Sequence, residues 1–342
     1  MWLLIFALRR YNDAGVINMG NDNTQVSYDT GDTISQIFDK IIKRLLQGGV
    51  SKTAVVSLIN GLYSENFVPS ESELTHLSTE GVDGDLKRTL ADIIISIRVG
   101  GRVRRFHLEA QTDDDHIIVI RVFEYGFRDA LRHKISKGNK ITLPFPTPAI
   151  IFLEHTDSTP EEVILELDFG KHGKIDYPVP AMKLLNYSVD ELREKKMTIL
   201  LPLYLLKLRR EVENAKNRKN NREEVLKQKA KEVKALIEDA LLPAILETEQ
   251  AGHITHNDAF ELLRQLKRLY NYLYGDIKEF NDEEVNPMTT LSDIIELEYD
   301  KELEDAKRET AYRIAGGMKN LGLSIDVIEK ATGLTPAEIN LL

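Results

Sequence analysis

The sequence predicts an α/β core followed by a long α-helical region. Runs rich in aliphatic and β-branched residues occur at 85–99, 103–111 and 148–154, and an amphipathic helix is predicted between the last two, at about 115–133. Helical periodicity dominates from residue 189 onwards. This order assigns the sheet to the first half of the chain and helices to the second half.

The remaining elements follow from local signals. Apolar residues from Ile34 to Leu45 recur at helical spacing, and Gly48 and Gly49 mark the end of that helix. Near the other end of the chain, Thr335 and Glu338 form a capping box around Pro336. Together these patterns predict helices at 33–46, 52–63, 189–216, 221–249, 256–273, 290–315, 325–331 and 336–341, and a strand pair at 162–168 and 175–180.

Composition limits the class of protein. The chain of 342 residues has no cysteine, which excludes disulfide scaffolds, thiol catalysis and cysteine-ligated zinc, and which makes the cytoplasm the expected location. The apolar segment Trp2–Leu8 is far shorter than the ~20 residues that span a bilayer. Arginines follow this segment instead of preceding it, so it does not resemble a signal peptide either, and no membrane partner is expected.

We expect four segments along the chain. Residues 1–27 are a disordered or extension segment, in which Met19 is the expected natural start. Residues 28–185 form the α/β core, residues 186–305 form a helical region, and residues 306–342 form a small C-terminal helical unit.

Charge is distributed unevenly along the helical region. The net charge is −10, yet residues 205–235 hold 11 Lys and Arg against 5 Glu, whereas residues 276–309 hold 13 Asp and Glu against 4 Lys and Arg. The basic stretch fits a DNA backbone or, as an alternative, an ordinary solvated helix. The acidic stretch allows a further alternative, in which it mimics DNA and restrains the basic surface.

A hairpin carries the most informative pattern. Gly100 and Gly101 separate two β-rich runs, as in a type I′ or II′ turn, so paired residues have numbers that add up to 201. Because side chains alternate, one face of the hairpin is apolar and the other is polar. The polar face places Asp92 opposite Glu109.

Two carboxylates in that position repel each other unless a cation lies between them. Carboxylate oxygen suits Mg²⁺ or Mn²⁺, so Asp92 and Glu109 are a candidate metal site. The alternative is that each carboxylate pairs with Arg98 or Arg105 on a solvated face.

The helix that follows has a basic stripe, which suits phosphate contacts. The alternative is a solvated face on which Glu124 and Asp129 balance the arginines. The stripe consists of Arg121, Tyr125, Arg128 and Arg132.

These pieces together resemble the Rpn family of recombination-promoting nucleases, also called YhgA-like putative transposases, within the PD-(D/E)xK nuclease superfamily. The resemblance covers most of the chain from about residue 28. It is carried by YDTGDTISQIFDKIIKRLL at 28–46, ADIIISI at 91–97, FHLEAQ at 106–111, RVFEY at 121–125 and LGLSIDVIEKATGLTPAEINLL at 321–342.

The resemblance implies a restriction-endonuclease-like core, a central mixed sheet flanked by helices, and a Mg²⁺- or Mn²⁺-dependent endodeoxyribonuclease associated with recombination or mobile elements. Asp92 and Glu109 would bind the metal, and Gln111 occupies the position where the superfamily usually has lysine.

The implied partner is DNA, whose phosphates would contact Arg121, Tyr125, Arg128 and Arg105. A homo-oligomer formed through the C-terminal unit is a further expectation. The alternative function is a catalytically weak or inactive nuclease-fold protein that binds DNA or protein.

Overall fold

A computed structural model describes residues 34–78, 93–112 and 117–342. The helices are α1 (Ile34–Arg44), α2 (Lys52–Tyr63), α3 (Ile118–Arg132), α4 (Val189–Glu194), α5 (Arg209–Lys216), α6 (Arg222–Ala235), α7 (Leu242–Gln250), α8 (His256–Tyr274), α9 (Met288–Asn320), α10 (Ile325–Thr332) and α11 (Pro336–Asn340). The strands are β1 (Glu73–Ser78), β2 (Ile93–Val99), β3 (Arg102–Gln111), β4 (Ile135–Lys137), β5 (Lys140–Thr142), β6 (Thr147–Phe152), β7 (Glu162–Asp168) and β8 (Lys174–Lys183). The further helical segments include a 3₁₀ helix at Thr198–Leu208 and a π-helical turn at Leu236–Leu241.

Six strands form one mixed sheet in the order β1-β2-β3-β6-β8-β7. The outer pairs are antiparallel, whereas β3, β6 and β8 run parallel to one another. Parallel neighbours need a crossover connection, and α3 supplies it between β3 and β6. The predicted α/β class with a central mixed sheet flanked by helices is therefore confirmed.

Helices cover the sheet on both faces. On one face, side chains of β2 and β3 pack with α1, α2 and several helices of the second half in a single hydrophobic cluster. On the other face, Ile118, Val119 and Val122 of α3 pack against Ile150 and Phe152 of β6. Glu109 and its neighbours on β3 lie on this second face.

The first cluster extends across the boundary expected after residue 185. It runs from Ile37 in α1 to Leu291 in α9, and it includes most of the 3₁₀ helix Thr198–Leu208. A separate small cluster joins α9, α10 and α11. The core and most of the helical region therefore share one interior, whereas the C-terminal unit has its own.

Several predicted elements differ from the structure. The helix predicted over 189–216 is divided into α4, the 3₁₀ helix and α5, and Pro202 lies inside the 3₁₀ segment, where it cannot donate a backbone hydrogen bond. The sequence does not predict strands β1, β4 and β5, because β4 and β5 have three residues each and the two leucines of β1, Leu74 and Leu77, are three residues apart instead of two. Residues 85–92 of the first predicted strand lie outside the described ranges.

The predicted C-terminal signals are confirmed. Gly333 ends α10 with a positive φ, and the Thr335 hydroxyl accepts from the backbone N–H of Glu338 while the Glu338 carboxylate accepts from the N–H of Thr335. No helix within the described part of the chain combines the length and the apolar character that crossing a bilayer requires.

Candidate active site

The β2–β3 hairpin sets the position of every candidate residue on β3. Gly100 and Gly101 have φ of 55° and 78°, and positive values at both central residues are typical of a type I′ turn. The pairs run from Val99 opposite Arg102 to Ile93 opposite Leu108, so the predicted register is confirmed over these residues. Asp92, the next residue along, lies outside the described residues.

The polar face of β3 lies beneath α3, and three contacts connect the two elements. Arg121 Nη2 lies 3.1 Å from Glu109 Oε1, the rings of Tyr125 and His107 are 6.4 Å apart, and Asp129 Oδ2 lies 2.9 Å from Arg105 Nε. Successive contacts are four residues apart on the helix, a rise of ~6.0 Å, and two residues apart on the strand, a rise of ~6.6 Å. Because the two rises are similar and the helix runs antiparallel to the strand, the contacts stay aligned over all three pairs. We call these three contacts the β3–α3 ladder.

Glu109 is the buried carboxylate of the ladder. Its side chain is 0% exposed, and its Oε1 accepts hydrogen bonds from Gln111 Nε2 at 2.6 Å and from Arg121 Nη2 at 3.1 Å. A buried carboxylate is costly unless it is paired and hydrogen-bonded. The predicted catalytic residues Glu109 and Gln111 are thus in direct contact, and Arg121 supplies the positive charge.

His107 and Tyr125 form the middle of the ladder. The imidazole of His107 is buried and meets the Tyr125 ring edge to face. From the other side of the sheet, the Tyr63 hydroxyl donates to the backbone oxygen of His107 at 2.8 Å. Burial raises the pKa of Tyr63 well above its usual value, so this phenol remains protonated and keeps donating.

Two of the predicted phosphate-binding residues do not contact Glu109. Arg128 pairs with Glu124 at 2.7 Å on the exposed side of α3, and its guanidinium lies over the Tyr125 ring. Arg105 pairs with Asp129 at the opposite end of the ladder. The buried face of α3 includes Val122. The basic stripe lies beside this face, so only one edge of the stripe contacts the sheet.

Asp129 is a residue whose role the sequence analysis missed. The alternative interpretation of the α3 stripe, a solvated face, includes Asp129, yet this residue is only 2% exposed and it binds Arg105. Its position four residues after Tyr125 was the available signal, since Arg105 lies two residues before His107 on β3. If Tyr125 contacts His107, the residue four positions later on the helix, Asp129, is expected to lie near the residue two positions earlier on the strand, Arg105.

A second buried carboxylate joins the sheet to the basic stretch of the helical region. Glu154 follows β6, and its two oxygens accept from Nε and Nη2 of Arg209 at 2.6 Å each. Arg210 approaches the same carboxylate at 3.4 Å. Arg209 is therefore used for an internal ion pair, and only part of the predicted basic surface is available to a partner.

The donor set for a metal is small in the described residues. No group of three or more His, Asp or Glu side chains with metal-binding geometry occurs within 34–78, 93–112 and 117–342. Glu109 contributes carboxylate oxygen, which is the donor that Mg²⁺ and Mn²⁺ prefer. The Asp92 half of the predicted site lies outside these ranges, so the predicted pair of ligands stays a prediction.

Comparisons with protein-family models, with curated proteins and with solved structures found no match to this chain.

Proposed function

We propose that this chain is a metal-dependent endonuclease that hydrolyses DNA phosphodiester bonds, as its resemblance to the Rpn nucleases of the PD-(D/E)xK superfamily implies, and that it acts in the cytoplasm. One observation carries the proposal. A fully buried carboxylate, Glu109, lies on a central strand of a mixed sheet, and the side chain of Gln111 and the guanidinium of Arg121 both contact its Oε1.

In this proposal Asp92 and Glu109 hold the metal. The register of the hairpin supports the pairing, because the sum of 201 holds from Val99 to Ile93 and, continued by one residue, would put position 92 opposite 109. Both side chains offer hard oxygen donors. When bound, Mg²⁺ or Mn²⁺ lowers the pKa of a coordinated water and neutralises charge that develops on the phosphate.

The neighbouring residues have separate roles. Gln111 donates to Glu109 Oε1 and so fixes the orientation of the carboxylate. Arg121 is 24% exposed, so its guanidinium reaches from the buried carboxylate to the surface, where a phosphate oxygen would lie. Tyr125 packs against His107 and holds α3 at the correct distance from β3.

The same contacts favour a second candidate function, a nuclease fold that binds DNA or protein without cutting. Arg121 already neutralises Glu109, and an amide stands at position 111 where a lysine would add a cation to the transition state. Such a protein would retain its ligand with no metal present.

Plasmid nicking tests the two functions against each other. Purified protein is incubated with supercoiled DNA in Mg²⁺, in Mn²⁺ or in EDTA, beside the variants Asp92→Asn and Glu109→Gln, which keep side-chain volume and remove the charge. Glu166→Gln is the matched control, because Glu166 is exposed on β7 and pairs with Lys174 at 2.6 Å, away from the site.

The nuclease proposal predicts metal-dependent nicking that both site variants reduce at least about 100-fold, since loss of one ligand typically removes most metal-assisted catalysis. The control should cut like the wild type. Nicking that survives both site variants contradicts the site. No nicking with either metal, together with unchanged DNA retention in a gel shift, establishes the binding function instead.

A further inference from the structure

A cavity of about 500 Å³ lies at the end of the β3–α3 ladder that is remote from Glu109. Arg105, His133, Lys134 and Phe145 line it, and no Asp or Glu belongs to its described lining. The cavity therefore combines a basic wall with an aromatic ring, and the role proposed for Glu109 does not use it.

A buried carboxylate arranges two of the basic side chains. Asp129 binds Arg105 Nε through Oδ2 at 2.9 Å, and its Oδ1 lies 3.4 Å from His133 Nδ1. His133 Nδ1 also lies 2.9 Å from the backbone oxygen of Asp129, which makes this nitrogen the donor, so Nε2 donates to a phosphate oxygen only in the doubly protonated form of the ring. The two side chains are thus oriented before a ligand arrives.

The charges at the cavity do not cancel. Asp129 balances Arg105, and Glu65 balances the further lining residue Arg104. Lys134 is exposed and pairs with no acidic residue in the part of the chain that the structure describes. The guanidinium of Arg105 has five N–H groups, and its contacts with Asp129 and with the Pro144 carbonyl leave donors for a ligand.

One effect opposes an anion at this position. The cavity adjoins the C-terminal end of α3, whose carbonyl oxygens carry partial negative charge. The backbone N–H of His133 donates to two of these carbonyls, those of Asp129 and Ala130, and so partly neutralises them. The uncompensated charge of Lys134 is therefore the larger influence, since a helix terminus carries only about half an elementary charge.

The aromatic wall adds a second type of contact. Phe145 is half-buried among Phe123, Phe127 and Tyr177, with ring centroids 5.5 to 6.3 Å apart. Gly126 allows this approach, because a Cβ at that position would lie 3.2 Å from the Phe145 ring. A supported ring beside several cations suits a ligand that has both a phosphate and a planar base.

The geometry points to a nucleotide-phosphate site in this cavity, in which Arg105, His133 and Lys134 bind the phosphate and Phe145 stacks on the attached base. The phosphate belongs either to a free nucleotide or to a nucleic-acid strand. Arg105 lies four residues before Glu109 on β3, which is about 13 Å along the strand. If the proposed nuclease function holds, this site binds the substrate strand at that distance from the cut.

Fluorescence anisotropy with a labelled single-stranded thymidine 10-mer, in EDTA, measures this binding without any cutting. The test variants are His133→Ala, Lys134→Ala and Phe145→Leu, and Lys171→Ala is the matched control, since Lys171 is exposed, lies outside the cavity lining and carries the same charge. Thermal unfolding of each variant verifies that the fold is intact. Thymidine monophosphate and inorganic phosphate serve as competitors.

We expect Lys134→Ala and His133→Ala each to weaken binding about tenfold. Lys134→Ala should also lower the slope of log K against log salt by about 0.7, because one phosphate contact is lost. Phe145→Leu should weaken the binding of the 10-mer but leave competition by inorganic phosphate unchanged. Lys171→Ala should bind within about twofold of the wild type.

The competitors distinguish the two sources of phosphate. Thymidine monophosphate that binds as tightly as the 10-mer, and that depends on Lys134, identifies a free nucleotide. Tighter binding of the 10-mer identifies a strand. Binding that depends on Lys134, in a protein that does not nick DNA, supports the site and overturns the nuclease proposal. If the test variants bind as tightly as Lys171→Ala, the site is overturned, whatever the nicking assay shows.

Discussion

The carboxylate of Glu109 lies where solvent does not reach it, and Oε1 is shared by an amide and a guanidinium. This arrangement is asymmetric, because Arg121 is 24% exposed whereas Glu109 is fully buried. Loss of the arginine leaves a negative charge in the interior, whereas loss of the carboxylate leaves an arginine that can turn toward water. The energetic consequences of the two substitutions should therefore differ.

We expect Arg121→Met to lower the free energy of unfolding by about 3 kcal/mol, because it leaves the Glu109 carboxylate buried without a cationic partner. Glu109→Gln should cost about 1 kcal/mol. The double variant should be more stable than the sum of the two losses predicts. Urea denaturation of the four proteins measures this coupling, and strictly additive losses would contradict the pairing.

At the scale of elements, the capping box of α11 is tied to the end of α9. The Glu338 carboxylate accepts from the N–H and hydroxyl of Thr335, from the Tyr312 hydroxyl at 2.8 Å and from Arg308. These hydrogen bonds, of which those from Thr335 are the largest influence, lower the pKa of Glu338 to about 2. The Glu338 carboxylate therefore adds a polar link between α11 and α9 to the hydrophobic cluster that they share.

This lowered pKa predicts how the C-terminal unit responds to acid. A carboxyl whose pKa is lower in the folded state stabilises the fold above its ordinary pKa of ~4.3, and the contribution is lost as pH falls toward 2. NMR of the Ile339 methyl groups should show a titration with a midpoint near pH 2 that is missing in Glu338→Gln. A midpoint near 4.3 would contradict the network.

At the scale of the whole molecule, the first and second halves of the chain pack closely against each other. Gly61 of α2 lies against the connection after α4, where an added Cβ would approach the Lys195 carbonyl oxygen to 2.5 Å and the Met197 side chain to 2.6 Å. Glycine is required at this position because a backbone atom, which cannot move aside, occupies the space. The contact joins the expected α/β core to the expected helical region.

Two helical glycines therefore predict opposite outcomes for the same substitution. Gly61→Ala should lower the free energy of unfolding by about 2 kcal/mol, as overpacking usually does, even though alanine favours helix. Gly316→Ala in α9, where no atom lies within 4 Å of the added Cβ, should raise it by up to about 1 kcal/mol. Thermal and urea unfolding measure both variants, and a stabilised Gly61→Ala would show that the two halves are not packed in this way.

The sequence was most informative where a local rule sets the geometry. Two glycines fixed the turn and hence the register of β2 with β3, so the burial of Ile95 and the position of Glu109 could be predicted from numbers alone. The capping box at Thr335 was equally clear. Asp92 remains a prediction of the same arithmetic, because it lies outside the described residues.

By itself, the sequence determined the α/β class, the hairpin and which face of β3 is polar, since all of these depend on residues close together in the chain. Only the tertiary structure decided which residues of α3 meet that face, that Asp129 is buried against Arg105, and that one interior extends from α1 to α9. The physical reason is that helical periodicity defines a stripe but not the angle at which the stripe meets its neighbour. That angle is set by packing among side chains that are far apart in sequence.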